Sequence, residues 1–357
     1  MIRIHTLLLG CCLPLHAEVA TLAHPEQPLP ADRTVVWSPM FQAAWDQLNA
    51  KHGGPAVKVD PPNPLIAKLD GFRWEPAKVM PKSGWKAWAG PATRDFTDEV
   101  NAEAAKLLGK PEGPFTLENE SPGAISFYGV LARTVEFHEA FHRSRKKPLS
   151  FTTASGAKDV HFFGSSGETS AAYGESVRVL AWRPVDKSHA LQIRGKADDD
   201  TVILYLPPTG QDFATACRWL RTWRGQYQQK PRRFGAWNDV GLHEKDVVQV
   251  PYLKLEAIAD FTPDLQGART FKGIDIPWQI AKAEQQTRFE LHEKGARVEV
   301  LVEGGDEPFG GPPEPPRPVP RHFIYDRPFF VFLWRDKAEW PYFGAWIGDA
   351  SGMVPWK

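Results

Sequence analysis

Hydrophobic and polar positions change period several times along the chain. Val35-Val36-Trp37 is an apolar burst, and after Ser38-Pro39 the apolar residues Met40, Phe41, Ala44, Trp45 and Leu48 fall at helical spacing. Ser38 reads as the N-cap of that helix and Pro39 as its first residue. Between 53 and 93 seven prolines, from Pro55 to Pro91, exclude long helices. The pattern predicts a short helix over 97–108 and a buried strand or helix over 124–137. Strand character dominates later, at 176–182, 201–206, 247–255, 287–292, 298–302 and 323–334. The strongest helix is 212–228, with Phe213, Ala216, Leu220 and Trp223 on one stripe. Strands with few intervening helices argue for an α+β fold rather than a repeating βαβ one.

Composition narrows the classes. Lys+Arg and Asp+Glu both number 43, so there is no basic footprint of a nucleic-acid binder. With 42% hydrophobic and 24% charged residues, the chain can bury a large core, and its length fits one large domain or two ordinary ones. The segment 308–320, Pro-Phe-Gly-Gly-Pro-Pro-Glu-Pro-Pro-Arg-Pro-Val-Pro, cannot enter a helix or sheet interior and reads as an exposed loop.

Arg3, the apolar run 7–15 and His16-Ala17-Glu18 read as a secretory signal over 1–17, cut after Ala17, followed by a polar leader over 18–34. Leu8-Leu9-Gly10-Cys11 also matches a lipoprotein box, in which Cys11 carries a lipid anchor. No segment is apolar for long enough to span a bilayer. A secreted or periplasmic location is expected, with Cys217 as the one mature thiol, buried in a helix and unable to form an internal disulfide.

His138-Glu139-Ala140-Phe141-His142 matches the zinc-peptidase pattern, in which two His one helical turn apart bind the metal and the Glu activates its water. A third ligand is missing: Glu168 and Glu175 lie in a Gly/Ser-rich stretch and His161 has no partner spacing. Arg143, Arg145, Lys146 and Lys147 follow directly. The competing reading is two partly exposed His around aromatic core positions, with no metal and no cofactor. His189, His243, His292 and His322 read as surface residues, and no nucleophile elbow, P-loop or CxxC is present.

The C-terminal run His322-Phe323-Ile324-Tyr325-Asp326-Arg327-Pro328-Phe329-Phe330-Val331-Phe332-Leu333, then Tyr342-Phe343-Gly344-Ala345-Trp346-Ile347, resembles the C-terminal signature of the serpins. Val36-Trp37-Ser38-Pro39, the strand of 201–210 ending in Leu-Pro-Pro-Thr-Gly, Val247 to Glu256, and Phe289-Glu290-Leu291-His292-Glu293-Lys294-Gly295 resemble further serpin segments in the same order. Phe137-His138-Glu139-Ala140-Phe141 falls at a Trp-x-x-x-Phe segment of that family, with Phe137 in place of the Trp. The resemblance spans about 35–347 and thins between 50 and 125. It implies one serpin-like domain over 35–357, with a large central mixed sheet, further sheets, surrounding helices and an exposed reactive loop over about 295–321. It implies a monomeric protease inhibitor, not an enzyme. A target serine protease cuts the loop, which then enters the central sheet as a new strand.

The loop suits such a strand. After the hinge residues Glu293, Lys294 and Gly295, the alternate positions Ala296, Val298, Val300 and Val302 form an apolar row, opposed by Arg297, Glu299, Leu301 and Glu303. No proline occurs from 295 to 307, roughly 43 Å of strand at ~3.3 Å per residue. Counting from Gly295 by family spacing puts the cleaved bond at Phe309-Gly310, suited to a chymotrypsin-like protease. Counting back from Asp326 lands near Arg317-Pro318. The hinge valines are larger than the family's small residues and favour insertion before cleavage. Gln285 and Gly129 replace the His and Asn that help hold a serpin sheet shut. A non-inhibitory serpin-fold binding protein is therefore the alternative.

Overall fold

The computed structural model describes residues 19–196, 199–229, 233–234, 237–238, 240–274, 277–297 and 320–357. The expected signal segment 1–17 with Cys11, and residues 298–319 with Val298, Val300, Val302, Phe309 and Gly310, lie outside the described residues.

In chain order the elements that matter here begin with β1 (Ala20–Leu22), β2 (Val35–Trp37), α1 (Met40–Lys51), α2 (Pro64–Gly71) and β3 (Trp85–Ala92). They continue with α3 (Arg94–Leu108), β4 (Ser121–Leu131), β5 (Thr134–Glu136), β6 (His142–Arg143) and β7 (Phe162–Ser165). Next come β8 (Val177–Arg183), β9 (Ser188–Arg194), β10 (Asp200–Leu206), α4 (Phe213–Gln229), β11 (Val247–Pro251) and β12 (Leu253–Asp260). The last are β13 (Gln279–His292), β14 (Gly295–Arg297), β15 (His322–Ile324), β16 (Phe329–Arg335) and β17 (Phe343–Ile347).

Three sheets carry the core. The central one runs β3-β4-β13-β14-β5, with β12 on the far side of β13; β4 and β13 are parallel and the other pairs antiparallel. A seven-stranded sheet runs β1-β2-β17-β16-β10-β9-β8, and a four-stranded sheet β15-β11-β7-β6. β10 and β16 lie at the middle of the seven-stranded sheet with both faces covered. That is why they read as continuous apolar runs rather than alternating ones.

The helices are placed by local signals. Asn63 caps α2, with Pro64 at its first position, and Thr93 caps α3 by accepting from the Phe96 amide before the left-handed Gly109 ends it. Period two in β4 then sorts its neighbours. Phe127 faces α1, 5.6 Å from Phe41, whereas Tyr128 faces α3 and shares a 2.9 Å hydrogen bond with Thr97. Cys217 is fully buried in α4, as expected, and burial raises its thiol pKa. Among the described residues no helix is long and apolar enough to cross a membrane.

Of the two readings of 124–137 the strand is formed, interrupted at Ala132-Arg133, and the proline-rich region holds short helices and β3 but no long helix. Other expectations change. The 247–255 run is two strands in different sheets, parted at Tyr252, and 323–334 is parted at 325–328. Pro39, not Ser38, occupies the cap position of α1; Ser38 donates to the Tyr342 carbonyl at 2.9 Å. Residues 19–34 are not a detached leader: β1 pairs in parallel with β2, and Val19, Ala23 and His24 are buried.

His189 is not a surface residue. It is 1% exposed, its ring 4.7 Å from Tyr325 and 5.5 Å from Phe323, with Nδ1 2.8 Å from the Lys187 carbonyl. Burial depresses its pKa from 6.5 to about 3. The unfolded chain therefore takes the proton first. The stability this neutral ring allows is complete above pH 6.5 and is lost as pH falls toward 3. The expected slope from His189 alone is about 1.4 kcal/mol per pH unit in that window. Urea denaturation of wild type and His189→Asn at pH 7, 5.5 and 4.5 checks this, and parallel pH profiles would contradict it.

Candidate functional site: a hinge and the open slot beside it

β4 and β13 are zipped together at one end. Their parallel register runs from Gln279 opposite Ala124 to Gln285 opposite Gly129. Beyond that the two strands part. At the far end β14 lies between β13 and β5, pairing Gly295, Ala296 and Arg297 with His292, Leu291 and Glu290 on one side. On the other side the same residues pair with Glu136, Val135 and Thr134. Residues 286–289 and 130–133 are left with facing edges that do not pair with each other. Unpaired strand edges are a template for another strand. On the outer face a cavity of about 280 Å³ opens here, walled by Val130, Leu131, Gln286, Thr287 and Arg288 and roofed by Phe115. Ser38, Met40 and Phe343 line a recess at the same stretch.

The turn that feeds β14 is held firmly. The Phe137 amide donates to the Lys294 carbonyl and the Phe141 amide to the Glu293 carbonyl, both at 2.8 Å. The Tyr252 hydroxyl donates to Glu293 Oε2 at 2.5 Å. Burial first, and the Glu293 carboxylate second, raise the Tyr252 pKa. Gly295 sits at φ +152°, and a Cβ there would lie 2.3 Å from the Val135 carbonyl oxygen, so the turn requires glycine. Ala296 is fully buried between Leu291 and Val135, which fixes the apolar parity of the hinge toward the core.

The zinc-like motif is part of this support, and its helical premise is wrong. Residues 138–140 bend and His142 enters β6, so His138 and His142 do not share a helix face. His138, Glu139 and His142 are exposed, while Phe137 and Phe141 are buried against each other and Phe163, with Phe141 stacked 4.5 Å from Tyr173. Two Phe at i and i+4 mimic a helix stripe but here straddle a bend whose amides hold the hinge. Among the described residues no group of three His, Cys, Asp or Glu is placed to hold a metal.

No family model and no curated protein matches the sequence. Solved structures do match. Human thyroxine-binding globulin complexed with its hormone is 12% identical with a TM-score of 0.55, over 89% of this chain and 92% of that one. A thyroxine-binding globulin complex with thyroxine gives 12% and 0.54, over 90% and 93%. Thyroxine-binding globulin is a serpin-family member. This chain has the serpin fold.

Within the serpin fold the signature residues take distinct places. Phe343 and Ser38 line the recess at the slot, and Phe343 stacks on Phe289 of β13 at 4.5 Å. A Cβ on Gly344 would press on the Phe332 and Phe213 rings at 3.0 and 3.1 Å. Asp326, Arg327 and Pro328 form the break before β16: the Asp326 carbonyl accepts from the Thr152 amide, Arg327 donates to the Asp186 carbonyl, and Phe329 is fully buried. Gly129 and Gln285 face each other across the last zipped pair. Gln285 reaches only Thr287, at 3.2 Å, and its Oε1 meets no donor among the described residues.

Sequence reasoning missed three anchors. Tyr252 holds Glu293. Arg133, at the break between β4 and β5, donates through Nε to the buried Asp200 carboxylate at 2.7 Å. At the other end of the loop, Arg321 donates through Nη2 to Asp246 Oδ2 at 2.6 Å and to the Gly241 carbonyl at 2.6 Å. Arg321 and Asp246 are separated by 75 positions, so neither advertises the other in the sequence.

Proposed function

We propose that the chain is a secreted inhibitor of serine proteases that acts by inserting its own cleaved loop into the slot. The observation that carries this reading is the slot itself, with paired strands at one end and the hinge residues Gly295 to Arg297 at the other. Antiparallel pairing advances one strand as it retreats along the other. Continuing the register of β14 would therefore set Val298 against Phe289, Glu299 against Arg288, Val300 against Thr287 and Leu301 against Gln286. The apolar positions would follow Ala296 inward. Glu299 would meet Arg288, which already pairs with Glu256 at 2.7 Å. The next acidic residue of the outer row, Glu303, would face Glu284, and Gln285 and Gly129 would have to part to admit it. Like charge and a closed zipper thus favour a partly entered loop that waits for cleavage. The scissile bond in this reading is Phe309-Gly310 and the target a chymotrypsin-like protease. Residues 1–17 direct export.

A second reading rests on the hinge being engaged in the sheet and on the large hinge valines: a non-inhibitory serpin-fold binding protein, the solved relatives being structures with thyroxine bound. Incubation of the mature protein with a chymotrypsin-like protease, followed by denaturing electrophoresis, separates the two. Inhibition predicts a covalent adduct near the summed mass. Cleavage near Phe309 with no adduct selects the binding protein.

A further inference from the structure

β3 is the outermost strand of the central sheet and pairs, among the described residues, with β4 alone. The Gly84 carbonyl accepts from the Ala132 amide, so by parity Lys86, Trp88 and Gly90 point their backbone groups at β4. Trp85, Ala87, Ala89 and Pro91 point theirs outward, along an unpaired edge. Two exposed side chains of α1 reach that edge. Gln47 donates through Nε2 to the Ala87 carbonyl at 2.9 Å, and Lys51 donates through Nζ to the Ala89 carbonyl. The fit is one of spacing: helix residues i and i+4 lie about 6 Å apart along the axis, and strand residues i and i+2 about 6.6 Å. Pro91 has no amide to offer, and its carbonyl accepts from the Thr93 amide at 2.9 Å. The outward amides of Ala87 and Ala89 have no acceptor among the described residues.

We propose that the outer edge of β3 is a strand-pairing surface for a second copy of this chain, kept closed by Gln47 and Lys51. The outward groups are self-complementary. Antiparallel pairing of two β3 strands about Trp88 sets Ala87 of each copy against Ala89 of the other, and each such pair exchanges two N–H···O bonds. Trp85 then faces Pro91, so the missing amide falls at the end of the ladder. A slide of two residues would bring Pro91 against Ala87 and remove a bond from inside it. The side chains at the facing positions are methyl groups already buried in their own chain, so they set no clash. Gln47 and Lys51 each hold the edge by one hydrogen bond from an exposed side chain, a barrier of modest size. The pairing needs neither the loop nor protease inhibition.

Light scattering after gel filtration of the full mature chain, with amide exchange over residues 85–91, tests the proposal. Wild type should run as a monomer, and so should Lys51→Arg, which keeps the donor. Gln47→Ala/Lys51→Ala removes both donors from exposed positions and should form a dimer at least about tenfold more tightly than wild type. In that dimer the Ala87 and Ala89 amides should exchange more slowly than in wild type. Ala87→Pro, added to the double variant, deletes an outward donor that the β3–β4 ladder does not use and should restore the monomer. A single cut in the loop should leave the dimer intact, which separates β3 pairing from association through the loop. The proposal is overturned if the double variant, shown folded by circular dichroism, associates no more than wild type. It is overturned equally if the dimer leaves the Ala87 and Ala89 amides unprotected, survives Ala87→Pro, or dissociates on loop cleavage.

Discussion

Asp246→Ala should lower the stability of the protein by about 3–5 kcal/mol, the usual effect of removing one partner from a buried ion pair. Asp246 and Arg321 are 1% and 7% exposed, and the carboxylate accepts from Arg321 through its amide, Nε and Nη2. It also accepts from the His243 amide at 2.8 Å. Truncation leaves a guanidinium charge in a low-dielectric site without its carboxylate, and a loop amide without its acceptor. The effect is local as well as global, because Arg321 is where the chain returns from the loop into β15 beside β11. Guanidinium denaturation of wild type, Asp246→Ala and Asp246→Asn measures it. Asp246→Asn, which keeps the shape, should fall between the two. A loss below about 1 kcal/mol in Asp246→Ala would show that the pair is no anchor.

Phe343→Ala should cost a similar amount, about 3–5 kcal/mol, by a different route. The ring is fully buried and stacks on Phe289, so it is a direct bridge between the seven-stranded sheet and β13 of the central one. Removing it takes away apolar contact and leaves a void below the slot, where Ser38 and Met40 already border a recess. Phe343→Leu fills part of that void and should lose only about 1–2 kcal/mol. The two unfolding midpoints read the difference directly. Equal losses in both variants would contradict the void account, since refilling the space with Leu would then restore nothing and the ring contact with Phe289 would carry the whole effect.

The sequence announced the parts of this fold whose side chains obey one period in one environment. The strands 329–335, 343–347 and 201–206 lie in covered positions of one sheet, and α4 shows a clean stripe, so all were legible. Where one apolar run serves two sheets the pattern misleads. Val247 to Glu256 reads as one apolar run although the chain changes sheet at Tyr252: Val248 and Val250 are buried before the change and Leu253 and Leu255 after it, so the buried parity shifts within the run. His189 looked polar in sequence, yet the faces around it are closed by Trp182, Phe323 and Tyr325 from distant positions. Glu293 to Ala296 were singled out by the family resemblance, and they form the tight turn that leads into β14. The slot was not. It is a failure of pairing between segments more than 150 positions apart, and no local pattern records an unmade hydrogen bond. The bend at 138–140 was hidden for the opposite reason, since two Phe at helical spacing are also what a bend with two buried flanks provides.

The central claim is that the cleaved loop completes the open stretch of the central sheet. Its most direct measurement is thermal unfolding before and after a single cut within the loop, with the protease quenched. Pairing of new strand residues on both edges should contribute about 5 kcal/mol or more in hydrogen bonds and buried apolar surface. For a chain of this size that raises the unfolding midpoint by about 10 °C or more. A cleaved protein that melts at the same temperature as the intact one, or below it, would contradict insertion.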